Sequence, residues 1–127
     1  MVRRLAWSFA LGVIALLPPP PAGAAASPSC LRLAGVTVFA PRGEVYVELE
    51  AQCKPEDFED RPSLIAHVEV LVSDLPAVSE DVRVLREAPS GRQTLIFDGL
   101  GLAPNQSVLV RLVRFGRILG LHSLKVL

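Results

Sequence analysis

The sequence predicts an all-β protein, a seven-strand antiparallel β-sandwich that follows an N-terminal signal peptide. After Pro28 the apolar residues fall into seven short runs, and in most of these runs they alternate with polar residues. This period of two is that of a half-buried strand. No sustained helical period follows Pro28, and prolines and glycines lie mostly between the runs. Seven short strands in about 100 residues are typical of two packed antiparallel sheets.

The N-terminus has the three parts of a secretory signal peptide. Met1–Arg4 is basic, and Leu5–Leu17 is an apolar run of 13 residues. As a helix this run would be roughly 20 Å long, which is shorter than the ~30 Å hydrocarbon core of a bilayer. Prolines 18–21 end any such helix, and small residues follow them. We predict cleavage after Ala26, with Ala24 as the alternative; an uncleaved membrane anchor is the competing interpretation.

Cleavage after Ala26 divides the chain into a signal peptide, residues 1–26, and one β-sandwich domain, residues 27–127. The mature domain has 11 basic and 13 acidic residues. This balance argues against a nucleic-acid-binding protein, which normally has a basic excess. The leader, rich in alanine and proline, is typical of bacteria, so we expect the periplasm or the cell surface as the destination. Membrane contact is expected only through the signal peptide during export.

Two cysteines, Cys30 and Cys53, remain after cleavage. In an exported chain an even number of cysteines indicates a disulfide. The bridge would close a loop of 24 residues, and loop entropy then predicts about 3 kcal/mol of stabilisation. A redox-active pair would have Cys-x-x-Cys spacing, which is absent here.

We assign the first four strands to residues 31–39, 44–52, 65–73 and 81–87. The second strand has the clearest alternation, because one face carries four apolar side chains, those of Val45, Val47, Leu49 and Ala51. The third strand places valines at 68, 70 and 72 in the same way. Turns at 40–43 and 74–76 and a long acidic loop separate these strands, and we expect the fourth to be an edge strand.

The last three strands are assigned to residues 92–98, 107–115 and 118–126. A Pro-Ser-Gly turn at 89–91 precedes the fifth strand, and a tight turn at 116–117 joins the last two. The final strand reads Ile-Leu-Gly-Leu-His-Ser-Leu-Lys-Val and carries little charge. Such an edge could recruit a second copy or another protein by strand addition. Alternatively, Leu119, Leu121 and Leu124 complete the core.

The C-terminal part, residues 92–126, resembles a fibronectin type III or immunoglobulin-like domain. The segments that carry the likeness are Thr94–Phe97 and Leu100–Leu112, which look like the family's strand, Leu-x-Pro loop and following strand. The family's corner tyrosine would fall at Val108, and the family's core tryptophan has no counterpart after Trp7. The resemblance implies the sandwich and leaves function open, because such domains serve many roles.

The loop 54–61 holds the densest cluster of charge. Its acids are Glu56, Asp57, Glu59 and Asp60. Four carboxylates in five residues are weak candidates for a calcium site, since calcium prefers oxygen ligands, but their spacing does not match an EF-hand loop. A solvated loop is the simpler interpretation. A third interpretation is a partner-docking loop in which Phe58 is an apolar anchor.

Three arginines, Arg111, Arg114 and Arg117, lie close together around the last hairpin. We expect them either to form a patch for an acidic partner or an anionic glycan, or to be solvated and paired with glutamates on a neighbouring strand. Arg111 shares a face with Leu109, Val113 and Phe115.

The remaining motifs favour binding over catalysis. His67 and His122 are the only histidines, and neither has a second nitrogen or sulfur ligand nearby in sequence. No Gly-x-Ser-x-Gly elbow is present, and no serine is spaced to pair with a histidine. We therefore expect that the protein is not an enzyme and that it binds no cofactor. The sequence predicts an exported interaction or structural module, an accessory subunit or adhesion-type domain whose partner is another envelope protein. The alternative is a periplasmic metal- or small-ligand-binding protein that uses loop 54–61.

Overall fold

The structure is a computed structural model that describes residues 2–4 and 29–127. The apolar run Leu5–Leu17, prolines 18–21 and the predicted cleavage site after Ala26 lie outside the described residues. Two short 3₁₀ turns, Ala40–Arg42 and Pro55–Phe58, accompany the strands. The described residues form eight strands: β1 Val2–Arg4, β2 Leu31–Phe39, β3 Glu44–Gln52, β4 Ser63–Val72, β5 Leu75–Leu85, β6 Ser90–Phe97, β7 Ser107–Arg114 and β8 Arg117–Lys125.

The strands form two antiparallel sheets, ordered β1-β6-β3-β2 and β5-β4-β7-β8. The seven strands β2 to β8 therefore divide into three and four, and this arrangement is compatible with an immunoglobulin-like or fibronectin type III-like sandwich. The predicted all-β class and its seven antiparallel strands after residue 30 are confirmed. No helix within residues 2–4 and 29–127 is long and apolar enough to cross a membrane.

The core lies between the sheets and follows the alternation seen in the sequence. On β3 the side chains of Val45, Val47, Leu49 and Ala51 are buried. Their counterparts across the sandwich are Val68 and Val70 on β4 and the buried residues of β7. Among residues 2–4 and 29–127, all the buried apolar side chains come from residues 31–126, so this part of the chain has a core of its own.

Two hairpins, β4–β5 and β7–β8, have two-residue turns. The β4–β5 connection is therefore shorter than predicted. Ser73 and Asp74 join β4 to β5 with φ of 51° and 64°, and Phe115 and Gly116 join β7 to β8 with φ of 51° and 72°. Positive φ at both turn residues matches the right-handed twist of the flanking strands. The predicted strand 81–87 is therefore corrected: β5 starts at Leu75, directly after the turn, and tolerates proline near its start because it lies at an edge.

Three connections meet at one end of the sandwich, which we call the loop end: residues 53–62, 86–89 and 115–116. Backbone hydrogen bonds tie the first two together, since the amide of Cys53 donates to Pro89 O at 3.0 Å and the amide of Arg86 donates to Pro62 O at 3.0 Å. The Arg61 guanidinium reaches the third connection. The acidic loop and the arginine hairpin are therefore neighbours, although they lie more than 50 residues apart in the sequence.

Candidate functional site

Phe115 is the most prominent apolar group of the loop end. Its side chain is 73% exposed, and its backbone adopts φ of 51°, a left-handed conformation that is uncommon for a bulky residue. The guanidinium carbons of Arg114 and Arg61 lie 4.7 Å and 5.5 Å from the ring centroid. Cation–π contacts of this kind hold both cations beside the ring. The tip of the β7–β8 hairpin therefore presents an aromatic ring flanked by positive charge.

The three arginines predicted around this hairpin differ in their surroundings. Arg114 and Arg117 are directly opposite each other across the hairpin, which places two like charges together. Such a pair is unfavourable for folding and places two cationic side chains at the tip. Arg111 instead forms an ion pair with Glu69 on β4. Arg114 and Arg117 therefore remain the candidates for such a patch, while Arg111 follows the alternative expectation of cross-strand pairing.

An apolar strip continues from Phe115 along the outer face of the β4-β7-β8 sheet. Ile118 and Leu121 are 57% and 54% exposed, and Ile65 on β4 is also exposed. A bulge in β8 places Ile118 opposite Val113 and Leu121 opposite Arg111, so both face outward. Sequence reasoning missed Ile65 and Ile118. Ile65 could have been found from its position two residues before His67, on the polar face of that strand, but the bulge has no clear sequence signal.

The last strand, β8, has one face against the core and one face toward solvent. The sheet order confirms that β8 is an edge strand beside β7. Leu119 packs against the core, as one interpretation expected, whereas Leu121 points outward. The strand therefore completes the core with one face and contributes to the exposed strip with the other.

Phe58 is not a surface anchor, and that prediction is wrong. The 3₁₀ turn Pro55–Phe58 directs its ring into the sandwich, where it is fully buried. It closes the core at the loop end.

The acids of loop 54–61 do not converge on a cation site. Asp57 Oδ2 accepts a hydrogen bond from the backbone amide of Lys54 at 2.7 Å, which caps the 3₁₀ turn. Glu59 lies 3.9 Å from Arg61. Among residues 2–4 and 29–127, the one group of three possible metal ligands is Cys30, Cys53 and Asp57. Its two sulfurs are joined to each other, so they offer no thiolate.

The predicted disulfide is present. Cys30 and Cys53 are bonded, with their Cα atoms 4.7 Å apart, and the bridge joins the start of β2 to the residue after β3. Cys53 is buried and also begins the loop end. The disulfide thus anchors the first of the three connections that form the candidate surface.

Two surface hollows offer space for a small ligand, but each contains an ion pair. One, of about 380 Å³, is lined by β4, β5 and β7 and contains Arg111 and Glu69. The other, of about 350 Å³, lies beside the disulfide and contains Arg32 and Glu50, whose charged atoms are 3.3 Å apart. A charged ligand in either hollow would compete with an existing partner.

No family model, curated protein or solved structure matches this chain.

Proposed function

We propose that the protein is an exported, non-enzymatic interaction module of a bacterial envelope, and that it binds another protein through the loop end. The binding surface comprises Phe115, Arg114 and Arg117, together with Ile118 and Leu121 on the adjoining strip. The Cys30–Cys53 disulfide supports this proposal, because it is compatible with an oxidising compartment outside the cytoplasm.

The observation that carries the proposal is the exposed ring of Phe115 in contact with the guanidinium groups of Arg114 and Arg61. Aromatic residues and arginine are enriched among the residues that dominate protein interfaces. A left-handed backbone at a bulky residue costs free energy, and such strain is concentrated at functional sites. The tip is therefore costly for the isolated domain and well suited to contact a partner.

The chemistry of the surface defines the partner. An apolar side chain of the partner would cover Phe115 and Ile118, and carboxylates beside it would pair with Arg114 and Arg117. We therefore expect a protein segment in which acidic residues flank an aromatic or aliphatic residue.

The fold assignment at family level is part of the same proposal. The order β2-β3-β6 and β5-β4-β7-β8, together with the resemblance of residues 92–126, supports membership of the fibronectin type III or immunoglobulin-like class. In immunoglobulin variable domains the loops at one end of the sandwich bind ligands. The proposed function itself rests on Phe115 and the arginines beside it.

The proposal is tested by cross-linking and co-purification from native envelopes with a tagged full-length chain. Phe115→Ala should reduce affinity for the partner about 30-fold, the loss of about 2 kcal/mol expected for a central aromatic contact. The matched control is Leu75→Ala, because Leu75 is 70% exposed in the same sheet but follows the turn at the opposite end. Equal binding by both variants and the parent chain would refute the proposed surface.

A further inference from the structure

The edge of β6 accepts an additional strand. Val2, Arg3 and Arg4 pair antiparallel with Phe97, Ile96 and Leu95, and the Val2 side chain packs against the core. This pairing covers only the last three residues of β6. Along residues 90–94 the same edge has no strand partner in the parts of the chain that the structure describes.

The other edge strands are protected against strand addition. Each carries a bulge with one extra residue: Ala34 in β2, Ala77 in β5 and Leu119 in β8. In β5 there is also Pro76, which has no N–H to donate. Bulges and prolines are the usual means by which sheet edges avoid pairing with other chains.

β6 has none of these features. Its register with β3 runs without interruption from Ser90 to Phe97, it contains no proline, and Arg92 is its only charged residue. A regular strand of this kind can extend a sheet by backbone hydrogen bonds to an incoming segment. The pairing with Val2–Arg4 gives one register in which a strand lies on this edge.

We propose that, once the leader is removed, the β6 edge binds an extended segment of a second protein, which adds as an antiparallel strand. The segment places a valine-sized aliphatic side chain at the position of Val2, against the core. This inference rests on the removal of residues 1–26 proposed above. It concerns a different surface from the loop end.

The occupant is a free segment rather than the β6 strand of a second copy. In a second copy the inward-facing residues of β6, including Leu95 and Phe97, are already fully buried in that copy's own sandwich. They are not available to fill the position of Val2 in the first copy. An extended segment has no such prior contacts, and it can place one side chain between the sheets.

Gln93 adds a requirement on the segment. Its side chain is buried on β6, and its Oε1 has no hydrogen-bond partner among the described residues. A buried acceptor without a partner is unfavourable. If the register of β1 continues, the residue four positions after the valine falls opposite Gln93. A hydroxyl or amide group there would donate to Gln93 Oε1, so we expect serine, threonine or asparagine at that position of the partner.

The test uses residues 27–127, which contain every fully buried core residue of the described part of the chain. Acetylated peptides of residues 1–6 (Met-Val-Arg-Arg-Leu-Ala) are the probe. Amide NMR shifts and hydrogen exchange are followed along β6 at millimolar peptide. We expect changes at the amides of residues 95–97, with Val2→Asp weakening binding at least tenfold. A peptide with Ala6→Ser should bind several-fold more tightly than the parent peptide.

Each alternative occupant gives a distinct result that overturns the proposal. If residues 95–97 are already protected in a monomer without peptide, another part of the chain covers the edge. If they are protected only in a dimer, a second copy is the occupant. Absence of any effect at millimolar peptide, or changes spread over β2, β5 and β8, would refute an acceptor edge. The intact mass of the exported protein reports leader removal separately.

Discussion

Gly43, in the connection between β2 and β3, lies against Leu100 in the connection after β6. It follows the 3₁₀ turn with φ of 59°, and its carbonyl accepts a hydrogen bond from the Leu100 amide at 3.0 Å. A Cβ at this position would lie 2.2 Å from the carbonyl oxygen of Leu100. Gly43→Ala should therefore lower the free energy of unfolding by more than about 2 kcal/mol, since the left-handed backbone alone costs about 1 kcal/mol and the backbone clash adds to it. Urea unfolding measures the loss.

The control for this variant is Gly116→Ala. Gly116 has a similar φ of 72°, but no other heavy atom lies within 4 Å of a Cβ built there. Its substitution should lower the free energy of unfolding by about 1 kcal/mol, which is the cost of the left-handed backbone alone. If the two variants lost equal stability, the close approach of Leu100 would not be the reason for glycine at 43.

At the scale of residues, the sequence predicted chemical type better than exposure. Phe58 and Phe115 are both aromatic residues in or beside charged turns, yet one closes the core and the other is 73% exposed. The difference depends on the direction in which a 3₁₀ turn and a hairpin point their side chains, and local pattern does not specify it. Local pattern also does not specify the ion pair of Arg111, because its partner Glu69 lies 42 residues away in the chain.

Among the elements, the C-terminal segment fixes the last strand to the loop before β7. The Val126 amide donates to Gln106 O, and Val126 O accepts from the Asn105 amide, both at 2.9 Å. The Val126 side chain is 2% exposed. Deleting Leu124–Leu127 removes this buried side chain and both hydrogen bonds, so the truncated domain should lose its cooperative thermal transition.

The matched truncation removes Leu127 alone, because that residue is fully exposed. It should leave the melting temperature within about 2 °C of the parent. If deletion of Leu124–Leu127 left the melt intact and abolished a specific complex, the segment would be a docking edge rather than part of the core.

Strands were predictable wherever alternation and turn residues agreed, as in β3 and β7. The start of β5 was missed because Leu75 and Pro76 read as a turn, whereas the two positive-φ residues before them already complete the hairpin. Bulges in β2, β5 and β8 shift which residues face outward, and they arise from pairing between strands. The pairing of Val2–Arg4 with β6 joins residues more than 90 positions apart, which no local pattern encodes.

At the scale of the whole molecule, each sheet carries ion pairs between strands on its outer face. Glu50 lies between Arg32 and Arg92, at 3.3 Å and 3.2 Å, on one sheet, and Glu69 pairs with Arg111 on the other. In each of these pairs the two charges come from neighbouring strands. The hairpin tip departs from this arrangement, since Arg114 and Arg117 oppose each other without an intervening acid in the strand register. This contrast is why the tip, rather than either sheet face, is the candidate for an acidic partner.

The stability of the whole domain should depend on the compartment in which it is kept. β2 and β3 are already paired from Leu31 and Ala51 onward, and the Cys30–Cys53 bridge adds a covalent closure beside that pair. Closing a loop of 24 residues is worth about 3 kcal/mol, a large share of the 5–15 kcal/mol that is usual for a small domain. The double variant Cys30→Ala, Cys53→Ala should therefore unfold at a lower urea concentration by an amount equivalent to about 3 kcal/mol. Wild-type protein in dithiothreitol should match this variant, while dithiothreitol should leave the variant itself unchanged. If reduction did not alter the unfolding of the wild-type domain, the bridge would contribute nothing to the stability of the sandwich.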